Sequence, residues 1–178
     1  NLIRDEKIEV LFELDNLLYG VETSVLPALT KIHEEIERIT GKMDSHVVKL
    51  CSWIGGDRDG NHFVTNQVMT KVMKTQMETI VNIYIKDIGN LIRDLSISTK
   101  QVNVGEELLK NLDVEWQYFT GDLKPHKNEP FRNKLTLMRK KLQNKLISLN
   151  AFEKPEFLYN EPEEMIADID LMLECLDE

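Results

Sequence analysis

Apolar residues recur every three to four positions along most of the chain, which is the spacing of one face of an α-helix. This pattern predicts a first helix at residues 4–19, ended by Gly20, and a second helix at residues 22–40, capped by Gly41. Because only a short link separates them, we expect the two helices to pack as an antiparallel hairpin over residues 1–41.

Residues 45–53 carry a different pattern, in which β-branched, large and aromatic side chains follow one another closely. Such a run, stopped by Gly55, predicts one short strand. A loop is expected at residues 54–65. A long apolar stripe then predicts a helix over residues 66–99, and we assign that stripe to the core.

The remaining residues, 100–178, are expected to form further helices at about residues 106–119, 129–149 and 161–176. Pro130 suits the first turn of the second of these helices. The predicted fold class is therefore mainly α, a single helical segment with one short strand.

The bulk composition is that of a soluble globular domain. The chain has 178 residues, of which 42% are hydrophobic and 30% are charged. Its net charge of −9 argues against a nucleic-acid-binding protein, because such modules are usually basic over one face. No run approaches the roughly 20 apolar residues of a membrane span. We therefore expect neither nucleic acid nor a membrane among its partners.

Cysteine and histidine do not have the spacing of a metal or redox site. Cys51 and Cys175 lie far apart in sequence, and the four histidines form no pair at ligand spacing. With no secretory leader in the sequence, we expect reduced thiols and a cytoplasmic location. The sequence predicts no metal ligands and no catalytic residue within the chain.

Charge is shared unevenly along the second half of the chain. Residues 129–149 hold six basic residues and one acid, whereas residues 153–178 hold ten acids and one lysine. One interpretation is that these are solvated helix faces that attract each other or neighbouring elements. The other is an anion site or subunit contact on the basic helix, formed by Arg132, Arg139 and Lys140.

The loop after the predicted strand begins within the decapeptide SWIGGDRDGN, residues 52–61. Consecutive glycines can adopt positive φ or let a ligand approach the backbone. Neither nucleotide-binding glycine fingerprint is present. A calcium-binding EF-hand loop would need glycine and glutamate where this chain has His62 and Val68, which excludes that site.

Two readings of the loop side chains stay open at this point. Arg58 could clamp the loop by pairing with a carboxylate, or its guanidinium could reach an anionic substrate. Trp53 could be a buried residue at the end of a strand, or it could wall a ligand pocket.

The decapeptide, followed by Val64 and Thr65, resembles the S-W-M-G-G-D-R-D-G-N-P-x-V-T motif of phosphoenolpyruvate carboxylases of the bacterial and plant type. Shorter matches occur in the family's order: Asp5-Glu6, Lys86-Asp87-Ile88, Leu95-Ser96 and Glu129-Pro130-Phe131-Arg132. The resemblance covers essentially the whole chain, which corresponds to about a fifth of such an enzyme. It implies that the chain is an internal segment of a larger α/β-barrel enzyme with many added helices.

The resemblance also implies a function. The family carboxylates phosphoenolpyruvate with bicarbonate, requires Mg²⁺, yields oxaloacetate and phosphate, and usually forms a homotetramer. The resemblance assigns Trp53 to an apolar wall of the substrate pocket, and it assigns the other loop positions to the edge of the active site. The implied substrate-pocket residues are Trp53, Gly55, Gly56, Asp57, Arg58, Asp59, Gly60 and Asn61.

Other family motifs are absent from this sequence. The catalytic histidine of the T-A-H-P-T-E motif and the metal-binding acids are missing, so Mg²⁺ is expected to bind outside this chain, and the chain alone is expected to be inactive. His62-Phe63 stands where the family usually has Pro-Asn. The alternative is a stand-alone helical interaction or regulatory module derived from the enzyme, and the parent reading frame would discriminate the two.

Overall fold

The computed structural model describes residues 9–41, 48–95, 98, 104–119, 124–152 and 155–176 of the chain. Its regular structure is helical, as predicted. Contacts divide the chain into two compact units, Asn1–Thr79 and Ile80–Glu178.

The first described helix does not end where the sequence predicts, and its predicted start at residue 4 lies outside the described residues. Helix α1 covers Val10–Gly20, a wider π-helical turn covers Val21–Val25, and helix α2 covers Leu26–Thr40. Gly20 has helical angles, φ −63° and ψ −38°, so the path continues through it. The predicted hairpin over residues 1–41 is therefore wrong for the described residues 9–41. A glycine costs a helix only about 1 kcal/mol, so Gly20 by itself does not end one.

The other glycine of this region does end a helix. Gly41 has φ +67°, and its N–H donates to the carbonyl of Glu37 at 2.8 Å. This is the left-handed C-cap that glycine favours, because other residues meet a steric penalty there. The predicted end of α2 is confirmed.

Helix α3 covers Asn66–Asp94, beginning at the predicted residue and ending before residue 99. The described residues contain no strand. In the described residues 48–53 the predicted strand is not formed and the backbone is irregular, while residues 45–47 lie outside the described part. That residues 45–53 form a barrel strand in a complete enzyme stays a prediction. A strand needs the backbone of a neighbouring strand to satisfy its own N–H and C=O groups, and the described residues supply none.

The core of the first unit joins the glycine loop to two helices. Val10 and Leu14 of α1 pack with Val72 of α3 and with Val64, which closes the loop. Ile54, Leu11, Leu18 and Val68 are packed against this group and partly buried. Both ends of the loop are therefore anchored by apolar burial, and the segment between them is held at the surface.

The second unit contains the C-terminal part of α3 and helices α4, Glu106–Tyr118, α5, Pro130–Asn150, and α6, Pro162–Glu174. Their bounds match the sequence prediction within two residues. Helix α5 is central, because most of its residues from Pro130 to Met138 are buried. Solvation of the basic segment is therefore wrong for this stretch of α5. The expected attraction to the acidic segment and to neighbouring elements is confirmed, because Lys134 and Lys141 pair with Asp168 of α6 and Glu115 of α4. The charge count does not reveal which basic residues point inward.

Candidate functional site

The glycine loop turns first at Gly55. This residue has φ +78°, and a Cβ atom placed on it would lie 2.9 Å from Cγ2 of Val72. The N–H of Gly56 then donates to the carbonyl of Trp53 at 2.8 Å. Position 55 accepts only glycine without strain, for two independent reasons: its backbone angle and its contact with α3.

The next turn is held by side chains that bond to the loop's own backbone. Oδ1 of Asp57 accepts the N–H of Gly60 at 3.1 Å, and Oδ1 of Asn61 accepts the N–H of Phe63 at 3.0 Å. The carbonyl of Asn61 also accepts the N–H of Val64 at 3.0 Å. Asp and Asn often fix turns in this way. Asp57 and Asn61 thus fix the shape of the loop.

The loop leads into α3 through a capped helix start. Oγ1 of Thr65 accepts the N–H of Val68 at 3.2 Å, which satisfies one of the free donors in the first turn of α3. Thr65 is therefore the N-cap of α3.

Trp53 and Arg58 project from this fixed backbone. Trp53 is 82% exposed, so it is not a core residue of this chain. Arg58 is also exposed, and its Nη2 donates to Sδ of Met69 at 2.8 Å. Within the described residues Arg58 forms no ion pair, so the pairing expected of a structural clamp is not seen there. Gly56, Asp59 and Gly60 are exposed as well.

A groove borders the loop on the α1 side. Its volume is about 660 Å³, and it is lined by Gly60 to Phe63 of the loop, by Glu9 to Leu11 and by Val68. His62 and Phe63, the pair that departs from the family motif, form part of this lining. The departing pair therefore lies on the surface beside the loop, and the turns of the loop are held by Asp57 and Asn61.

The loop carboxylates do not form a metal site. Across the described ranges, no group of three His, Cys, Asp or Glu residues is placed to hold a metal ion. The residues present therefore do not fit a bound Mg²⁺.

The two cysteines are free thiols, Cys51 exposed and Cys175 buried. Among the described helices none has the length and apolarity needed to cross a membrane.

A second polar cluster, the lysine–carboxylate cluster, lies between α4, α5 and α6. We define it as Lys134, Lys141, Glu115, Asp168 and Tyr159. Nζ of Lys134 lies 2.8 Å from Glu115 and 2.6 Å from Asp168, and the Lys134 side chain is fully buried. Lys141 pairs with the same two carboxylates. Two positive and two negative charges are thereby balanced inside the unit.

Neighbouring groups complete this cluster. Nζ of Lys134 also donates to Oδ1 of Asn111 at 2.6 Å. The hydroxyl of Tyr159 donates to Oδ2 of Asp168 at 2.6 Å, and Nζ of Lys141 lies 4.9 Å from the centre of the Tyr159 ring. Buried charges are stable only when paired and hydrogen-bonded, and this arrangement meets both conditions.

The cluster shifts the pKa values of three of its members. Burial favours the neutral form of Asp168, but hydrogen bonds from Lys134 and Tyr159 outweigh it and lower the pKa. Burial also opposes the charge on Lys141, yet its carboxylate partners raise the pKa of this lysine overall. Burial, together with the charge of Asp168, raises the pKa of Tyr159 far above its usual value. These shifts favour the charged forms of Asp168 and Lys141 and the neutral form of Tyr159 at neutral pH.

The basic residues predicted as an anion or subunit contact are not drawn together into one site by any described contact. Nη1 of Arg132 pairs with Glu129 at 3.0 Å. Nη1 of Arg139 lies 4.0 Å from where a Cβ atom on Gly89 would stand, and Lys140 is half-buried. Their proposed contact stays a prediction. Sequence reasoning missed Glu115, Asp168 and Met69, because no local spacing marks them as partners of residues far along the chain.

Comparison with known proteins identifies the family. The sequence model of the family "Phosphoenolpyruvate carboxylase" matches residues 1–178. The chain is also similar to the phosphoenolpyruvate carboxylase of Shewanella sediminis (strain HAW-EB3), at 35% identity over 158 residues. That match covers 85% of this chain and 16% of the relative. The chain belongs to the phosphoenolpyruvate carboxylase family, and it spans well under a fifth of the length of that relative.

Proposed function

We propose that this chain is a segment of a phosphoenolpyruvate carboxylase, a lyase that joins bicarbonate to phosphoenolpyruvate and forms oxaloacetate and phosphate. Residues 52–65 are the edge of its active site. One observation carries the proposal: a cation and an aromatic ring project outward from a loop whose backbone is fixed by glycine and by its own side chains. Surface loops of this kind position groups for a ligand.

Trp53 supplies the apolar part of this site. An indole that is 82% exposed contributes little to the fold of this chain. Phosphoenolpyruvate has a terminal apolar methylene group on the carbon that bears its phosphate and its carboxylate. The family resemblance assigns the wall beside that group to this position, and an exposed tryptophan is free to fill that role.

Arg58 supplies a positive charge. Phosphoenolpyruvate and bicarbonate are both anions, and a guanidinium binds phosphate and carboxylate oxygens with good geometry. The contact of Arg58 with a neutral sulfur leaves its charge available to such an oxygen.

The position of the loop also fits a barrel enzyme. Residues 48–53 lead directly into it and lack a partner strand within the described residues. In the complete enzyme we expect residues 45–53 to pair with strands from the rest of the polypeptide. The loop then follows the carboxyl end of a barrel strand, where such enzymes hold their active sites.

Other parts of the machinery lie outside this chain in our proposal. The proton-transferring histidine and the Mg²⁺ ligands belong to the rest of the polypeptide, because the family's T-A-H-P-T-E motif and metal-binding acids are absent from this sequence. We place the complete enzyme in the cytoplasm, as a homotetramer, and expect the 178-residue chain to have no carboxylase activity of its own.

The test compares the complete polypeptide, its Arg58→Ala and Arg58→Lys variants, and the 178-residue chain. Oxaloacetate is measured in a coupled assay with Mg²⁺, bicarbonate and phosphoenolpyruvate. We expect Arg58→Ala to lower kcat/KM on the order of 10²-fold, and Arg58→Lys to lower it less, because a point charge remains. Arg38→Ala, which removes an exposed arginine of α2, is the matched control.

The outcomes separate the alternatives. An unchanged rate in a folded Arg58→Ala variant would assign the loop a scaffold role. Oxaloacetate formation by the 178-residue chain alone would refute its expected inactivity. A complete polypeptide without carboxylase activity would favour the helical regulatory module.

A further inference from the structure

The contact between Arg58 and Met69 joins an exposed loop to the first turns of α3. Nη2 of Arg58 lies 2.8 Å from Sδ of Met69. Met69 is itself fixed, because its N–H donates to the carbonyl of Thr65 at 2.9 Å. Its side chain is half-buried, whereas Arg58 is exposed. Met69 is thus the partner whose backbone is fixed in a helix and whose side chain is half-buried, and the exposed guanidinium is the group that it can orient.

The chemical nature of the acceptor decides whether the charge of Arg58 is neutralised. A thioether is a weak and uncharged acceptor, so it can orient a guanidinium without neutralising it. The two acids beside Arg58 do not act as its acceptor. Asp57 accepts the N–H of Gly60, and Asp59 is exposed and forms no ion pair with Arg58 in the part of the chain that the structure describes. Arg58 is therefore oriented while its charge stays uncompensated by a loop carboxylate.

We propose that Met69 is a positioning residue for Arg58, and that its sulfur holds the guanidinium in place to bind an anionic group of phosphoenolpyruvate. This inference rests on the proposed function of the loop. Phosphoenolpyruvate is the assigned ligand, because the exposed indole of Trp53 on the same loop suits its methylene group and has no counterpart in bicarbonate.

The chemistry of position 69 defines a series of variants. Met69→Leu keeps an apolar side chain of similar volume and removes the acceptor. Met69→Gln restores a neutral acceptor on a chain of similar length. Met69→Glu supplies a charged acceptor, which would pair with Arg58 and compete with the substrate for it. Met73→Leu, four residues further along α3 at an exposed position, is the matched control.

The experiment measures steady-state kinetics of the complete polypeptide with each substrate varied in turn. We expect Met69→Leu to raise the KM for phosphoenolpyruvate about three- to tenfold, the range of one modest hydrogen bond, with a smaller change in kcat. Met69→Gln should recover most of the loss, and Met69→Glu should be worse than Met69→Leu. In an Arg58→Ala background, Met69→Leu should have no further effect. Met73→Leu should match the wild type.

Each of the other outcomes would overturn one part of the proposal. If Arg58→Ala impairs the enzyme and Met69→Leu does not, the positioning role fails and the proposed function survives. If Arg58→Ala has no effect, the proposed function of the loop fails, and the positioning role of Met69 fails with it. Recovery by Met69→Glu equal to that by Met69→Gln would refute the need for a free charge. A raised KM for bicarbonate alone would refute phosphoenolpyruvate as the ligand. A lower melting temperature for both Met69→Leu and Met69→Gln, without rescue of KM, would assign Met69 to packing.

Discussion

Lys134 of α5 and Asp168 of α6 form an ion pair of 2.6 Å, and the lysine side chain is completely buried. The same Nζ atom also reaches Glu115 of α4 at 2.8 Å. One ammonium group therefore connects three helices of the second unit. A packing of these helices that separated the ammonium group from its carboxylates would leave a buried charge without a partner, which is costly.

Replacing Lys134 with methionine should destabilise the chain strongly. The variant leaves two partly buried carboxylates with Lys141 as their remaining cation, and breaking a buried pair in this way costs about 3 kcal/mol or more. Urea unfolding followed by circular dichroism measures the free energy of unfolding.

The control for this prediction is Lys110→Met, which removes a lysine paired with Glu106 on the exposed surface of α4. Exposed pairs contribute at most about 1 kcal/mol, so this variant should stay close to the wild type. Equal losses for the two lysines would contradict a special role for the buried one.

Stability should fall at both ends of the pH range because of the lysine–carboxylate cluster. The pKa of Asp168 is lower in the folded chain, so its contribution is complete above about pH 4 and is lost as pH falls through the folded pKa. The pKa of Lys141 is raised, so its contribution is complete below about pH 10 and is lost as pH rises through the folded pKa. Tyr159 acts in the same direction, since only the unfolded chain releases its phenol proton near pH 10.

The alkaline part of this dependence can be isolated with Tyr159→Phe. The variant should be less stable at neutral pH, because the hydrogen bond to Asp168 is lost. Between about pH 10 and 11 its stability should decline less steeply than that of the wild type, since one proton-linked group is gone. Parallel curves of unfolding free energy against pH would show that Tyr159 does not contribute.

Two glycines of the first unit should respond in opposite ways to alanine. Gly55→Ala forces a side chain into positive φ and within 2.9 Å of Val72, which should cost about 2 kcal/mol. Gly20→Ala places a methyl group in open space on a helical backbone, and should stabilise by up to about 1 kcal/mol. Thermal unfolding of the two variants under the same conditions measures the contrast. A melting temperature unchanged by Gly55→Ala would contradict the tight contact with α3.

Trp53→Ala should separate activity from stability. Because the indole is 82% exposed, its removal should change the unfolding free energy of the chain by no more than about 0.5 kcal/mol. In the complete polypeptide, the same variant should lower kcat/KM for phosphoenolpyruvate, since the proposed apolar wall is lost. Activity equal to the wild type would remove Trp53 from the site.

Much of the helical framework follows from the sequence. The starts of α5 and α6 are marked by Pro130 and Pro162, which suit a first helical turn, and the end of α2 is marked by Gly41. Gly20 and Gly41 are both glycines, and nothing in the sequence around them shows that the first is helical and the second caps a helix. Only the backbone angles separate the two.

The candidate site is foreseeable in part. The decapeptide identifies the loop, because glycines and charges in such density serve neither helix nor strand. The contact of Arg58 with Met69 is not foreseeable, since a methionine in a helical stripe usually belongs to the core. Likewise, the lysines of α5 find their carboxylates on α4 and α6, and no residue spacing encodes a contact between helices.

The π-helical turn at Val21–Val25 has a geometric consequence for α2. Such a turn holds one more residue than an α-helical turn, and each residue advances about 100° around the axis. The stripe that contains Val10 and Leu14 is consequently out of phase with the side chains beyond the turn, and no residue of α2 is buried. Deleting a single residue from the turn would bring the two segments back into phase. It would also rotate the side chains of α2 about the helix axis by more than a quarter of a turn, although the sequence of α2 itself would be unchanged.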